Sequence, residues 1–284
     1  MVSKLAITLT AALSVFSATA ASIDRRIVGG EDAKDGEFPF VVSIVGTNGI
    51  CGGALLDNTT VLTAAHCLRG TVAVRAGSLQ HRAGGIEAQI ASRKAHPNYT
   101  LRVRNSALPY YANNDIGIIK LASPIEKGDK ISYATLAADG SDPVVDSMAI
   151  VAGWGKQEPS VSPMGDAAEF MAKVTIPIHT REFCAKLDKD VGDRDTVVCA
   201  GGNGKNACRY DSGSPLIDQA TGQVIGIASW GIRDENAELC GQAPMLYTRV
   251  GRYISFIHEN MGDSPVDPKP EPTSTPTLDK GQKL

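Results

Sequence analysis

CRYDSGSPL, residues 208–216, sets an acid, a serine and a glycine in succession, between a cysteine and a proline that leads into an apolar pair. That is the setting of a nucleophilic serine. A serine hydroxyl attacks poorly at neutral pH; it needs a base to take its proton and a further group to orient that base. Tyr210 and Ser214 stand where such a motif ordinarily has glycine, so the stretch reads as a working, a modified or a relic site. Continuing outward, residues 215–231, PLIDQATGQVIGIASWG, form two strand-like runs joined by a glycine-containing turn at Ala220–Gly222, a hairpin signal.

The same texture recurs along the chain. FVVSIVG at 40–46, ALLDNTTVLTAA at 54–65, VAVRAG at 72–77, DIGIIKL at 115–121, MAIVAGWG at 148–155, AKVTIPI at 172–178 and MLYTRV at 245–250 are rich in Val, Ile and Thr. Gly, Asn, Asp and Pro separate them. Helical periodicity is scarce; the best candidate is 251–261, GRYISFIHENM, with Tyr253, Ile254, Ile257 and Met261 on one face. Regularly spaced strands without intervening helices predict an all-β sandwich or barrel rather than a parallel α/β sheet.

The chain has 284 residues, and its ends read differently from its middle. Residues 1–20 carry Lys4, an apolar stretch and Ala18-Thr19-Ala20, the layout of a secretory signal peptide. As a membrane anchor the stretch falls short of the roughly 18–20 apolar residues a span needs. Residues 263–284 are proline-rich and polar and read as a disordered tail. The middle, 27–262, suits one large β domain. A formal charge of −3 with both signs interspersed predicts neither a nucleic-acid surface nor a membrane-binding face. Six cysteines (Cys51, Cys67, Cys184, Cys199, Cys208 and Cys240) behind a signal peptide predict disulfides in an oxidising compartment. With no CxxC pair, no His cluster and no acidic cluster around Glu87, neither a metal nor calcium is implied, and no cofactor is expected. Counting alone does not choose among the pairings. Asn58 and Asn98 open N-x-T sequons.

Of the five histidines, His66 in VLTAAHC follows a strand-like run beside a cysteine that could pin its turn. Asp115 immediately precedes the apolar run IGIIKL; a carboxylate entering a buried strand needs a partner. Each signal is weak alone.

Taken together, IVGG at 27–30, CGGALL at 51–56, TAAHC at 63–67, DIGIIKL at 115–121, AGWG at 152–155, DSGSPL at 211–216, SWG at 229–231 and PMLYTRV at 244–250 occur in the order found in the trypsin-like serine proteases. The chain resembles that family over 27–262, most of all its secreted fungal members. The resemblance implies two six-stranded antiparallel β-barrels with a short C-terminal helix and a cleft between the barrels. It also implies disulfides Cys51–Cys67, Cys184–Cys199 and Cys208–Cys240, a triad of His66, Asp115 and Ser212, and Ser229 beside the triad carboxylate. Residues 21–26 would be an activation peptide ending at Arg26. The ammonium freed on Ile27 would then pair with Asp211 in the interior, two charges that are tolerable together and costly apart.

This sequence departs from the family pattern in three places. The backbone N–H groups of Tyr210 and Ser212 would form the oxyanion hole, but Tyr210 replaces a glycine. It is either strained into place, rotated so that a donor is lost, or tolerated; losing one such donor costs about a hundredfold to a thousandfold in turnover. Asn206 stands at the base of the specificity pocket in place of an aspartate, and Met245 replaces a wall glycine while Gly231 keeps the other wall open. An amide cannot balance a buried cation, so small or medium apolar P1 side chains are expected. Finally, TLRVRNSALPYYANN lengthens the loop before Asp115; Arg102 and Arg104 could favour acidic substrate residues, or the loop is simply solvated near Asn98. Ser214 for glycine reads as a packing change.

Three functions fit: a secreted monomeric endopeptidase acting on polypeptides and open to protein inhibitors, a protease-fold binding or inhibitor protein, and an esterase using the same triad.

Overall fold

Ala172, Val174, Ile176 and Ile178 are buried, and the residues between them are half-buried, so the alternation in AKVTIPIH is the period-two pattern of a strand facing a core. Runs of this kind build nearly all of the protein. The computed structural model describes residues 27–47, 49–102, 111–156, 166–189, 191–192, 194–232 and 240–262. The expected signal peptide, the activation segment with Arg26, Arg104 with most of its loop, and the tail lie outside these residues, as does the side chain of Arg102.

In chain order the first half contains β1 (Glu31–Asp32), β2 (Val41–Gly46), β3 (Gly49–Leu55), β4 (Thr60–Thr63), β5 (Thr71–Ala76), β6 (Ile86–Ala95), β7 (Thr100–Arg102), β8 (Tyr111–Asn113) and β9 (Gly117–Leu121). Six of these close into a barrel in the order β2-β3-β4-β9-β6-β5, the last pairing back onto β2. The second half supplies β10 (Met148–Gly153), β11 (Ala172–His179), β12 (Val197–Ala200), β13 (Pro215–Asp218), β14 (Val224–Gly231) and β15 (Met245–Arg249). They run β11-β10-β13-β14-β15-β12, and pairing of β12 with β11 closes a second antiparallel barrel, onto which β1 adds at the edge. Closure leaves few free strand edges. The two six-stranded barrels are those the sequence implied.

Each barrel has its own core. Val42, Ile44, Leu55, Val61, Val74, Ile119 and Leu121 fill the first; Val151, Val174, Ile176, Leu216 and Tyr247 fill the second. Between them Leu62, Ile116 and Ile118 of the first half meet Val224 and Ile227 of the second, and Ile254 and Ile257 complete this seam. The last two belong to a helix, α2 (Ile254–His258), shorter than the span 251–261 predicted. Val250–Arg252 form a 3-10 turn instead. Tyr253 then leaves helical geometry at φ −125°, ψ 15°, with its hydroxyl donating to Asn114 Oδ1 at 2.9 Å. A second helix, α1 (Arg181–Leu187), was not foreseen. Thr180 caps it, accepting from the Phe183 N–H at 3.1 Å.

All six cysteines are paired as the resemblance implied: Cys51–Cys67, Cys184–Cys199 and Cys208–Cys240. The first ties β3 to the turn carrying His66, the second ties α1 to β12, and the third anchors the loop that leads to Ser212.

Candidate active site

His66 lies in a short 3-10 turn, Ala65–Leu68, at the end of β4. Asp115 sits just before β9, the neighbour of β4 in the barrel, so strand pairing brings the two together. The contact is double. The His66 backbone N–H donates to Asp115 Oδ1 at 3.0 Å, and His66 Nδ1 lies 2.7 Å from Oδ2. Ser229, from the other barrel, donates its hydroxyl to the same Oδ2 at 2.5 Å. Asp115 is 1% exposed. Burial alone would push its carboxyl up, but the His66 ring and the hydrogen bonds from His66 and Ser229 outweigh burial and hold it below the usual carboxylate range. A buried carboxylate that accepts at Nδ1 places the ring proton there and leaves Nε2 as an acceptor. The sulfurs of Cys51 and Cys67 lie near this ring, but both are in the disulfide and neither offers a thiolate.

Ser212 is held from both barrels. Its carbonyl accepts from the Gly52 N–H at 2.8 Å, and the next residue, Gly213, donates to Ala228 O at 2.8 Å, one residue before Ser229. Gly213 has φ +79°, and a Cβ there would lie 2.2 Å from Thr63 Oγ1 and 3.3 Å from Ala64 N, in the segment running into His66. Only glycine allows that approach. Tyr210 also adopts a positive φ, +79°. A side chain in this region is penalised by about 1–2 kcal/mol, so Tyr210 holds a strained backbone conformation. Its ring packs near Gly49 and carries the Arg209 guanidinium 5.4 Å from its centroid. Ser214 is fully buried, and its hydroxyl has no hydrogen-bond partner among the described residues. It fits because Gly52 lacks a Cβ, which would fall 2.0 Å from that oxygen.

Asn206, Gly231 and Met245 come together. Met245 pairs across the sheet with Gly231 on one side and Ala200 on the other. Gly231 is exposed, and a Cβ added to it would meet nothing within 4 Å. Met245 is 7% exposed and packs in the core group that includes Ala200, Ala207, Ala228 and Tyr247. Asn206 is 1% exposed and its amide is already used. Nδ2 donates to Ala200 O and Ala243 O, each at 3.3 Å, while Oδ1 accepts from the Ala207 N–H and the Tyr247 hydroxyl, each at 2.9 Å.

Asp211 and Ile27 are both inaccessible to solvent. The Asp211 carboxylate accepts from the Gly155 N–H at 2.7 Å and the Cys208 N–H at 3.0 Å. No cation pairs with it among the described residues, and burial pushes its carboxyl up to about 7. Ile27 packs in the second core, and the next carbonyl, Val28 O, accepts from the Asn206 N–H at 3.3 Å. The residue after Ile27 is therefore bonded to Asn206, the residue expected at the pocket base.

A model of the family described as Trypsin matches residues 27–257. The chain belongs to the trypsin family. Among relatives of this trypsin-family chain, the trypsin Blo t 3 of Blomia tropicalis is 35% identical over 243 residues, covering 81% of this chain and 84% of its own length. Mouse chymotrypsin-C is 33% identical over 258 residues, covering 84% and 90%. The solved structure of neuropsin, a serine protease of mouse brain, superposes with a TM-score of 0.70 at 29% identity, covering 83% of this chain and all of that one.

Sequence reasoning saw AGWG only as a motif. Its glycines are required because a Cβ at Gly153 or Gly155 would sit 2.3 Å or 1.8 Å from the Asp211 carboxylate, a group 56 residues away from Gly155. Thr248, whose hydroxyl donates to Asp115 O at 2.8 Å, was also missed, since a threonine in a strand carries no local sign of that role. Of the sequon residues, Asn98 is exposed, whereas Asn58 is half-buried and donates its amide to Glu126 at 3.0 Å.

Proposed function

We propose that this chain is a secreted serine endopeptidase, made as a precursor and activated by cleavage after Arg26. The observation that carries this reading is the two-point contact between His66 and Asp115, reinforced by Ser229, beside a serine loop bonded to both barrels. In this reading His66 Nε2 takes the Ser212 hydroxyl proton as Oγ bonds to the substrate carbonyl carbon. The Tyr210 and Ser212 N–H groups stabilise the oxyanion. His66 then returns the proton to the amine as the peptide bond breaks, and water repeats the cycle on the acyl-enzyme. Asp115 keeps the ring tautomer and balances the imidazolium. No metal or cofactor enters these steps.

The pocket favours small or medium apolar P1 residues, because Asn206 has no free polar valence for a cation and Met245 occupies depth beside Gly231. Activation places the Ile27 ammonium against Asp211, supplying the charge that the buried carboxylate lacks. Polypeptides are the substrates and protein inhibitors a second partner class; the enzyme acts as a monomer, glycosylated at Asn98 and, if Glu126 releases its amide, at Asn58.

One observation favours a second reading, a protease-fold binding protein: the burial of Met245 reduces the room for a substrate side chain. Labelling of Ile27-started protein with a fluorophosphonate separates the two. Labelling that disappears in Ser212→Ala is expected; absence of labelling in the parent protein favours the binding protein.

A further inference from the structure

Asp115 is held through its two neighbours as well as through its own carboxylate. The Ile116 N–H donates to Asn114 O at 2.9 Å, closing a three-residue turn with Asp115 at its apex. Ile116 O accepts from the His96 N–H at 3.0 Å, and Asp115 O accepts from the Thr248 hydroxyl at 2.8 Å. Asn114 supplies the remaining ties. It is half-buried, and its φ of +49° is a left-handed conformation that asparagine tolerates better than most side chains. Its amide is used at both ends: Nδ2 donates to Asn98 O at 2.8 Å, and Oδ1 accepts from the Tyr253 hydroxyl at 2.9 Å. A carbonyl can only face the NH2 end, so the amide has one orientation. Tyr253 is buried, and burial pushes its hydroxyl up to about 12, so it stays a donor across the working pH range.

These bonds form a closed circuit at the base of the lengthened loop. The Asn98 N–H donates to His96 Nδ1 at 3.2 Å, and the His96 ring packs edge-on against Tyr253 and Phe256, with centroids 5.2 Å and 5.0 Å away. On the other side β7 and β8 pair from Thr100 with Asn113 to Arg102 with Tyr111, and Asn113 Nδ2 donates to Thr100 Oγ1 at 3.2 Å. The Asn114–Asn98 bond therefore lies at the open end of this hairpin, where one strand arrives from His96 and the other leaves for Asp115.

We infer that Asn114 is a positioning residue for the proposed triad acid: its two amide bonds lock the base of the β7–β8 hairpin to Tyr253 and fix the turn that aims Asp115 at His66. The inference rests on the peptidase reading and names a further residue on which that chemistry depends. The amide bonds run to Asn98 and Tyr253, so Asn114 acts through Asp115. An acid displaced by a fraction of an ångström costs turnover rather than substrate binding, because only the former needs the exact His66–Asp115 geometry.

The test uses mature, Ile27-started protein and two variants. Asn114→Gly keeps the positive φ accessible and deletes both amide bonds; Tyr253→Phe deletes one hydroxyl. Asn114→Gly is expected to lower kcat about tenfold to a hundredfold with KM unchanged, and Tyr253→Phe to lower it by a smaller factor. Added to Asn114→Gly, Tyr253→Phe should cost nothing more, since its partner is already gone. Proton NMR reads the geometry directly: the low-field resonance of the proton between His66 Nδ1 and Asp115 should move upfield in both single variants. A folded Asn114→Gly with the parent's kcat and an unmoved resonance overturns the inference and leaves the peptidase reading standing. If Asn114→Gly does not fold, Tyr253→Phe decides in the same way: a lower kcat at constant KM with a moved resonance supports it, and parental values overturn it. If the parent neither labels with fluorophosphonate nor cleaves, the peptidase reading fails separately. The resonance alone then decides the positioning role, a shift supporting it and no shift overturning it.

Discussion

Met245 lies directly across the sheet from Gly231, so the thioether chain shares a face with the open wall that Gly231 presents. Opposed residues of an antiparallel pair project to the same side. Met245→Gly should deepen the pocket and shift the preferred P1 residue toward Leu and Phe, raising kcat/KM for these about tenfold or more, since even one methylene in a pocket is worth about 1–3 kcal/mol. P1 profiling of both proteins gives the answer; an unchanged profile would show that Met245 does not limit pocket depth.

Asn206→Asp should not convert the protein to cleavage after Arg or Lys while Met245 remains. It should destabilise the fold by about 1–3 kcal/mol, because the donations to Ala200 O and Ala243 O become contacts between oxygens. Met245→Gly with Asn206→Asp should gain measurable cleavage after Arg. Urea unfolding reads the first effect and the P1 library the second.

Tyr210 holds a backbone conformation suited to glycine. Tyr210→Gly should keep or raise kcat, with the relief of about 1–2 kcal/mol of strain partly offset by lost ring contacts and by glycine's larger unfolded-state entropy. Tyr210→Pro removes the N–H and forbids positive φ, and should lower kcat at least a hundredfold. Equal activity in the proline variant would remove Tyr210 from the oxyanion site.

Ser229→Ala deletes one of the bonds that hold the Asp115 carboxyl below its usual range. A depressed carboxyl contributes stability that is present above its unfolded pKa and is lost as pH falls through the folded value. Weakening the depression should therefore shift acid unfolding of the variant to higher pH. Asp115→Asn should lower kcat by about ten thousandfold through the wrong His66 tautomer, with little change in KM. Acid titration followed by circular dichroism and steady-state kinetics test the pair; an acid transition that does not move in Ser229→Ala contradicts the role given to that hydroxyl.

Asp211 has the opposite sign. Its folded carboxyl is raised to about 7 by burial, so its contribution is fully present below the unfolded pKa of about 4 and is lost as pH rises to about 7. The loss is a few kcal/mol at most. A precursor locked by Arg26→Gln should thus lose stability across that window, whereas the mature protein, with an ammonium on Ile27, should not. Parallel urea denaturation of the two forms between pH 4 and pH 8 measures it. Coincident pH profiles would mean that Ile27 and Asp211 do not pair.

The local signals were legible where chemistry and chain order coincide. DSGSPL, TAAHC and DIGIIKL each hold one residue of the proposed triad, and each lies beside a strand that periodicity could find. What escaped has a physical reason. β6 is ten residues long, yet in IEAQIASRKA apolar and polar residues alternate only as far as Ile90, where the register shifts, and only Ala88 is buried. α1 is two turns long and depends on the Thr180 cap and the Cys184–Cys199 bridge rather than on an apolar face. The C-terminal helix was foreseen too long because Tyr253 departs from helical dihedrals.

By itself the sequence determined the strand-forming runs, the even cysteine count and the order of the reactive motifs, because periodicity, composition and neighbours along the chain are local properties. Tertiary structure decided whether the Asn206 amide was free or saturated, and on which side of the Ramachandran map Tyr210 lies. It also decided that Gly155 must lack a Cβ for Asp211, and that Arg194 rests on Tyr111. Each depends on atoms brought together by barrel closure from distant parts of the chain, and no pattern of neighbours along the sequence encodes such a meeting.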